Sequence, residues 1–180
     1  MVDNSQKTQV SNTINTYRKA LPIINSHVSG GKILDYGAGL GHGAKFMRCD
    51  SFEPNPRSSF NPTYRLPQRI PSESYEKIVS LNVLNVLDRR TRDDAVKHMA
   101  RILKPGGAAL IMTRGRDVVK NAKGELGKEP YSITTTIGTY QKGFNTSELL
   151  HYVRTVAGPG FSVESVRLGP AAVLLKKDSR

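Results

Sequence analysis

The sequence predicts an α/β fold: a doubly wound, mostly parallel sheet with helices on both faces and an antiparallel β-hairpin at the C-terminal end. Three observations carry this. Short runs rich in Ile, Val and Leu ("KILDY", "EKIVSL", "AALIMT") alternate with stretches of helical period. The first run opens into a turn with glycine at every second position, Gly37, Gly39 and Gly41. The last two runs, "FSVESVRL" and "AAVLLKK", are separated only by "GP", the pattern of a hairpin.

Taken in order, residues 12–28 place Ile14, Tyr17, Leu21, Ile24 and Val28 three and four apart, an amphipathic helix. Pro22 falls inside it and predicts a break, a kink or the start of a second helix. "GKILDY" is a buried strand, and Gly41 to about Arg48 a short helix. "DSFE" is the second strand, stopped by Pro54 and Pro56. Within residues 57–74, "PTYRL" reads as a weak third strand, and a clear strand lies near 77–82. Thr91 and Asp94 have capping-box spacing at the start of the next helix, which buries Val96, Met99, Ala100 and Leu103. "LKPGG" ends that helix and "AALIMT" (108–113) is the following strand. Residues 114–131 read as an exposed basic loop, and "SITTTIGTY" has β character. In "FNTSELLHYV", Asn145 is the expected N-cap, Glu148 its N3 partner, and Phe144 with Leu149 the hydrophobic staple. The expected organisation is a single domain, 1–180, with an N-terminal helical segment (1–29) and a basic loop or lid insertion (114–143).

Composition narrows the class. At 180 residues, with 37% hydrophobic content, 16 glycines and 10 prolines, the chain can bury a core and is not of disordered composition. No run reaches the roughly 20 apolar residues of a membrane span, and the polar N-terminus "MVDNSQKTQVSNT" is no secretory signal. Cys49 is the only cysteine, so a reducing cytoplasm is the expected location. No metal-ligand set is expected. The net charge of +12 attracts polyanions without naming one; it serves solubility or nucleic-acid binding equally well.

The glycine turn has a physical purpose: backbone can approach a ligand where a Cβ would intrude, and the helix behind it offers N–H groups to an anion. A dinucleotide fingerprint needs Gly or Ala at its sixth position. From Gly37 that position is His42, which fails; from Gly39 it is Ala44, which passes but starts too late after the strand. Asp35 also stands where such a strand is normally apolar. Glu53, at the end of the second strand, is placed to accept hydrogen bonds from both hydroxyls of a ribose, with Asp50 as runner-up.

These residues resemble the class I S-adenosylmethionine-dependent methyltransferases. The matching pieces are "ILDYGAGLG", the acid in "SFEPNP", "YEKIVSLNVLNVL", "ARILKPGGAALIMT" and "YQKGFNTSELLHYV…GFSVESVRL", in the family's order over residues 30–177. "VLNVL" is also similar to small phage and bacterial methyltransferase-domain proteins. The resemblance implies a Rossmann-like seven-stranded sheet and S-adenosylmethionine as cofactor. It implies that Asp35 orients the methionine amino end, directly or through water, that Gly37, Ala38 and Gly39 pass beneath the cofactor, and that Glu53 holds the ribose. It further implies that Leu81 and Asn82 line the methionine and sulfonium region and that Tyr17 with Arg18 closes over the cofactor. Two departures stand out. The helix after the glycine turn is only about two turns long, and the third-strand region lacks the family's adenine signature, leaving 68–74 as the nearest stretch.

The implied reaction is methyl transfer to an unidentified acceptor. Cys49 is not in a Pro-Cys pair and "SLNVL" is not an amino-methylating DNA motif. Candidate catalytic residues are Asn82, Asn85 and His42; His27, His98 and His151 read as surface or structural. Arg114, Arg116, Lys120, Lys123 and Lys128 outnumber Asp117 and Glu125 in the loop after the fifth strand, which suits a phosphate backbone or a solvated lid. Only Tyr131 and Tyr140 lie near enough to stack a base. Two alternatives remain on sequence grounds: a nucleic-acid-binding protein on the same scaffold without chemistry, and an NAD-type oxidoreductase.

Overall fold

The computed structural model describes residues 5–9 and 14–179. The first two residues of the predicted N-terminal helix lie outside that range. The elements run α1 (Ile14–His27), β1 (Ile33–Tyr36), α2 (His42–Met47), β2 (Asp50–Phe52), β3 (Tyr75–Leu81), α3 (Arg89–Ile102) and β4 (Leu103–Thr113). Then come α4 (Val118–Asn121), β5 (Gly124–Leu126), β6 (Ser132–Thr135), β7 (Tyr140–Lys142), α5 (Thr146–Ala157), β8 (Phe161–Ser165) and β9 (Ala171–Lys177).

The central sheet has six strands in the order β2-β1-β3-β4-β9-β8. β2, β1, β3 and β4 are parallel, and β9 enters antiparallel between β4 and β8. The α/β architecture and the inserted antiparallel strand are as expected. The seventh strand is not: "PTYRL" contributes a single bridge, Phe52 to Tyr64. Prolines 54, 56, 62, 67 and 71 surround it, and each removes a ladder donor.

Period-two alternation sorts the buried strands onto two faces. Val79, Leu81, Leu110, Met112 and Leu174 meet Tyr17, Ala20 and Ile24 of α1. Ile78, Ala109, Ile111, Val173 and Leu175 meet α3 and α5 through Val96, Met99, Leu149 and Val153. Pro22 sits within an unbroken α1, on its exposed side. Proline costs about 3 kcal/mol in a helix interior. Burial of Tyr17, Ala20 and Ile24 at roughly 1.5–3 kcal/mol per large side chain offsets it.

Helix boundaries follow caps. Asn145 caps α5 by accepting from the Glu148 N–H at 2.8 Å, and Phe144 and Leu149 are both buried, as predicted. For α3 the predicted cap is corrected: Asp88 caps it, accepting from the Thr91 N–H at 2.9 Å. Residues 114–131 are not simply loop, since they contain α4 and β5. β5, β6 and β7 form a separate antiparallel sheet beside the C-terminal ends of the parallel strands.

Candidate active site

At the carboxyl ends of β1, β2 and β3 lies a cavity of about 1340 Å³. This is where ligands sit in open parallel sheets, and its size exceeds the roughly 300–1,000 Å³ of most small-molecule sites. Its floor is the glycine turn, its sides come from α1, α3 and the segment after β3, and its outer wall from Thr134, Gly138, Thr139 and Tyr140 of the small sheet.

The turn is fixed by its own N–H groups. Those of Gly37 and Ala38 donate to the Phe52 carbonyl at 2.8 and 3.0 Å, and that of Gly39 donates to Glu53 Oε2 at 2.8 Å. Glu53 Oε1 accepts from the Asn55 N–H at 3.1 Å. The Gly39 and Asn55 amides position Glu53, while those of Gly37 and Ala38 are taken up by the Phe52 carbonyl. Gly37 has φ +76°, and a Cβ there would lie 2.4 Å from Val83 Cγ2, so only glycine fits against the segment after β3. The turn begins immediately after β1, which leaves the Gly39-to-Ala44 dinucleotide spacing out of register. Asp50, the alternative acid, is engaged elsewhere, accepting from Tyr75 Oη at 2.7 Å.

Asp35 is fully buried and does not reach the cavity wall. Its Oδ1 accepts from Tyr17 Oη at 2.8 Å, while Oδ2 has no hydrogen-bond partner. Burial lifts its pKa to about 7, against a smaller downward pull from Tyr17 and from the Ala44 N–H, which lies near without hydrogen-bond geometry. Tyr17 Oη is in turn held protonated by burial and by Asp35. Tyr17 lines the cavity and also packs in the core, its ring pressed against Gly43 of α2. Tyr17 thus links Asp35 to the cavity wall.

Beyond β3, Leu81, Asn82 and Val83 line the cavity. Asn82 has φ +59°, its N–H donates to the Met112 carbonyl at 2.8 Å, and its buried Oδ1 is unpartnered. Left-handed backbone at a non-glycine residue costs energy and marks functional sites. His42, the first residue of α2, lines the rim. Asn85 does not: it is buried, and its Nδ2 donates to Gln141 Oε1 at 3.3 Å. A smaller cavity of about 260 Å³ adjoins the large one through Thr16 and Asn82.

Sequence reasoning missed one wall. His98, expected on the surface, is half-buried and lines the cavity with Tyr36 and Phe52. Tyr36 Oη and His98 Nδ1 share a hydrogen bond at 2.9 Å, and the three rings lie 4.9–5.6 Å apart. Burial pulls the imidazole pKa down to about 4, so it is neutral at physiological pH. The signal was available: Thr91, Asp94, His98 and Arg101 repeat at three and four on one face of α3. In the basic loop, Arg116 stacks over Tyr131 and pairs with Glu148, so it is not offered to a phosphate.

A methyltransferase-domain family model matches residues 11–154. No curated protein sequence matches the chain. Among solved structures, the 1,6-didemethyltoxoflavin-N1-methyltransferase of Burkholderia thailandensis, bound to 1,6-didemethyltoxoflavin and S-adenosylhomocysteine, is similar at 15% identity. That match covers 92% of this chain and 79% of the other, with a TM-score of 0.64. A Thermotoga maritima protein described as a possible histamine N-methyltransferase matches at 17% identity over 93% and 94% of the two chains, TM-score 0.63. A sugar N-methyltransferase of Streptoalloteichus matches at 13% over 100% and 93%, TM-score 0.65. Neither the oxidoreductase nor the non-enzymatic alternative finds support among these. With a matching model over most of its length and the sheet order described above, the chain belongs to the methyltransferase-domain family and has the Rossmann-like class I fold.

Proposed function

We propose that the protein transfers a methyl group from S-adenosylmethionine to a small acceptor bound in the same cavity. The observation that carries this is Glu53, gripped by two backbone N–H groups on the cavity wall beside a turn that admits only hydrogen at Gly37. A carboxylate so oriented suits a vicinal diol. The close-packed glycine floor fits the donor's amino-acid end. In this reading Glu53 holds the ribose, while Gly37, Ala38 and Gly39 form the floor. Leu81 and Asn82 flank the sulfonium, and Tyr17, buttressed by Asp35, closes the α1 side. The bound donor supplies an electrophilic methyl on a sulfonium; the chain's own residues align the partners and exclude water.

His42 at the rim is the nearest candidate base, and Asn82 a candidate for positioning the acceptor. Residues 114–143 act as an insertion over the site. No helix among the described residues is long and apolar enough to cross a membrane. The lone Cys49 favours a cytoplasmic location.

Calorimetry with S-adenosylhomocysteine tests the reading. Binding is expected, and Glu53→Ala should weaken it about tenfold to a hundredfold, the worth of charge-assisted hydrogen bonds. The melting temperature should fall as well, because the Gly39 and Asn55 N–H groups lose their acceptor, so binding is compared at a temperature well below both melting points. No binding of donor or product at high micromolar concentration overturns the proposal.

A further inference from the structure

We propose that the acceptor is a small anion, whose carboxylate or phosphate group seats between Lys19 and Arg114 in the 260 Å³ cavity beside Asn82. This rests on the methyl-transfer reading of the large cavity and names the acceptor's chemical class.

The small cavity is walled by α1 (Asn15, Thr16, Lys19), the end of β4 (Met112, Arg114) and the Leu168–Pro170 turn between β8 and β9. It shares Thr16 and Asn82 with the large cavity. A group seated there lies one side chain away from the glycine-floored site. The volume is below that of a nucleoside-sized pocket but ample for a carboxylate or phosphate. The body of such an acceptor must extend past Asn82 into the large cavity, which brings its reacting atom toward the donor.

Charge decides the sign of the ligand. No acidic residue lines the small cavity. Lys19 and Arg114 make no ion pair or side-chain hydrogen bond among the described residues. Two unpaired cations at one opening repel each other, and an anion between them turns that repulsion into attraction. The pair is also chemically apt: a guanidinium forks onto two oxygens while an ammonium acts as a point charge. Asn82 adds the orphaned Oδ1 at the junction, an acceptor for an N–H or O–H on the same ligand.

The competing occupant is the carboxylate of the donor's own amino-acid tail. One experiment separates the two. The protein saturated with S-adenosylhomocysteine is titrated with inorganic phosphate and, separately, with acetate, following the Asn82 side-chain amide and the Gly169 backbone N–H by NMR. Saturable shifts are expected with at least one anion; whichever gives them identifies the acceptor's charged group. The double variant Lys19→Ala/Arg114→Ala should lose that affinity at least tenfold while binding S-adenosylhomocysteine within twofold of the parent. Both side chains are exposed, so the fold should survive. Absent shifts at tens of millimolar, or unchanged affinity in the variant, overturn the proposal. A variant that loses S-adenosylhomocysteine overturns it differently, assigning the small cavity to the donor's tail. If the parent protein itself fails to bind S-adenosylhomocysteine, the methyl-transfer reading falls and the acceptor assignment falls with it.

Discussion

The floor of the cavity and its outer wall are held by different forces. The floor is held through its own backbone N–H groups: Gly37 and Ala38 onto the Phe52 carbonyl, and Gly39 onto the Glu53 carboxylate, all within a short span of chain. The outer wall is anchored by charged side chains. Arg92, only 1% exposed, reaches from α3 to Glu129 at 2.5 Å, and Glu129 also accepts from Tyr140 Oη. Lys142 pairs with Glu148 of α5 at 2.6 Å. Local backbone geometry admits few residue types and little motion. Side-chain ion pairs can be exchanged and can open. The molecule therefore joins an exacting floor to an adaptable wall, and each half should fail in its own way.

The largest effect should come from breaking the floor. Gly37→Ala meets both a positive φ and Val83, whose Cγ2 lies 2.4 Å from the new Cβ. Strain of about 1–2 kcal/mol and overpacking of about 1–3 kcal/mol add up to a melting-temperature loss approaching 10 °C. Binding of S-adenosylhomocysteine should be lost. Gly158→Ala is the control: φ is again +76°, but nothing lies within 4 Å of the new Cβ. It should cost only about 1–2 kcal/mol and leave binding intact. Equal effects at the two sites would remove the close approach from the account.

Next comes the wall. Arg92→Met leaves Glu129 without its buried partner and removes a guanidinium stacked on Phe144 and Tyr152. Breaking such a pair typically costs about 3–5 kcal/mol; Glu129 is 21% exposed, so about 3 kcal/mol is expected. Hydrogen exchange should quicken in β5, β6 and β7 while β1 and β3 stay protected. If both sheets lose protection together, floor and wall are one cooperative unit.

The same contrast explains what could be read from the sequence. The glycine turn, Glu53 and the Asn145 cap were legible because their partners lie within about fifteen residues. The small sheet is legible only in part: "SITTTIGTY" has β character and holds β6, but β5 is three exposed residues with no alternation, and the Arg92–Glu129 pair that anchors this wall spans 37 residues. The α3 cap slipped by three residues because "DRRT" supplies an acceptor at Asp88 as good as the one at Thr91. Asp35 stands out in the sequence, but no spacing there shows that its Oδ1 is bonded to Tyr17, a residue of the cavity wall.

Asp35 is the one titratable strain in the floor, and pH reads it. Its pKa is raised to about 7 from 3.8, so the native state holds the proton more tightly than the unfolded chain. Its stabilising contribution is complete below about pH 4 and is lost as pH rises through 7. Between pH 5 and 7 the loss is about 2–3 kcal/mol. His98, pulled down to about 4, works in the opposite sense, losing stability as pH falls below its ordinary value. The useful quantity is therefore a difference. Asp35→Asn, whose amide oxygen can still accept from Tyr17, should gain about 2–3 kcal/mol on the parent between pH 5 and 7. A constant difference across that range would mean Asp35 does not titrate there.

The smallest effect sharpens what holds the wall. Arg116 sits 3.0 Å from Glu148 and stacks on Tyr131, but its side chain is 38% exposed. Glu148 keeps its second partner, Lys142, which is 4% exposed and also donates to the Pro130 and Gly143 carbonyls. Arg116→Ala should therefore cost less than about 1 kcal/mol, as exposed pairs do, and the loss should shrink in high salt. Lys142→Met should cost several times more and resist salt, since it strands buried carbonyls as well as Glu148. Thermal melts of both variants at two salt concentrations decide the matter. Equal losses would mean that surface charge, not the buried pairs, carries the wall, and that the basic excess of this segment is spent on folding instead of on a ligand.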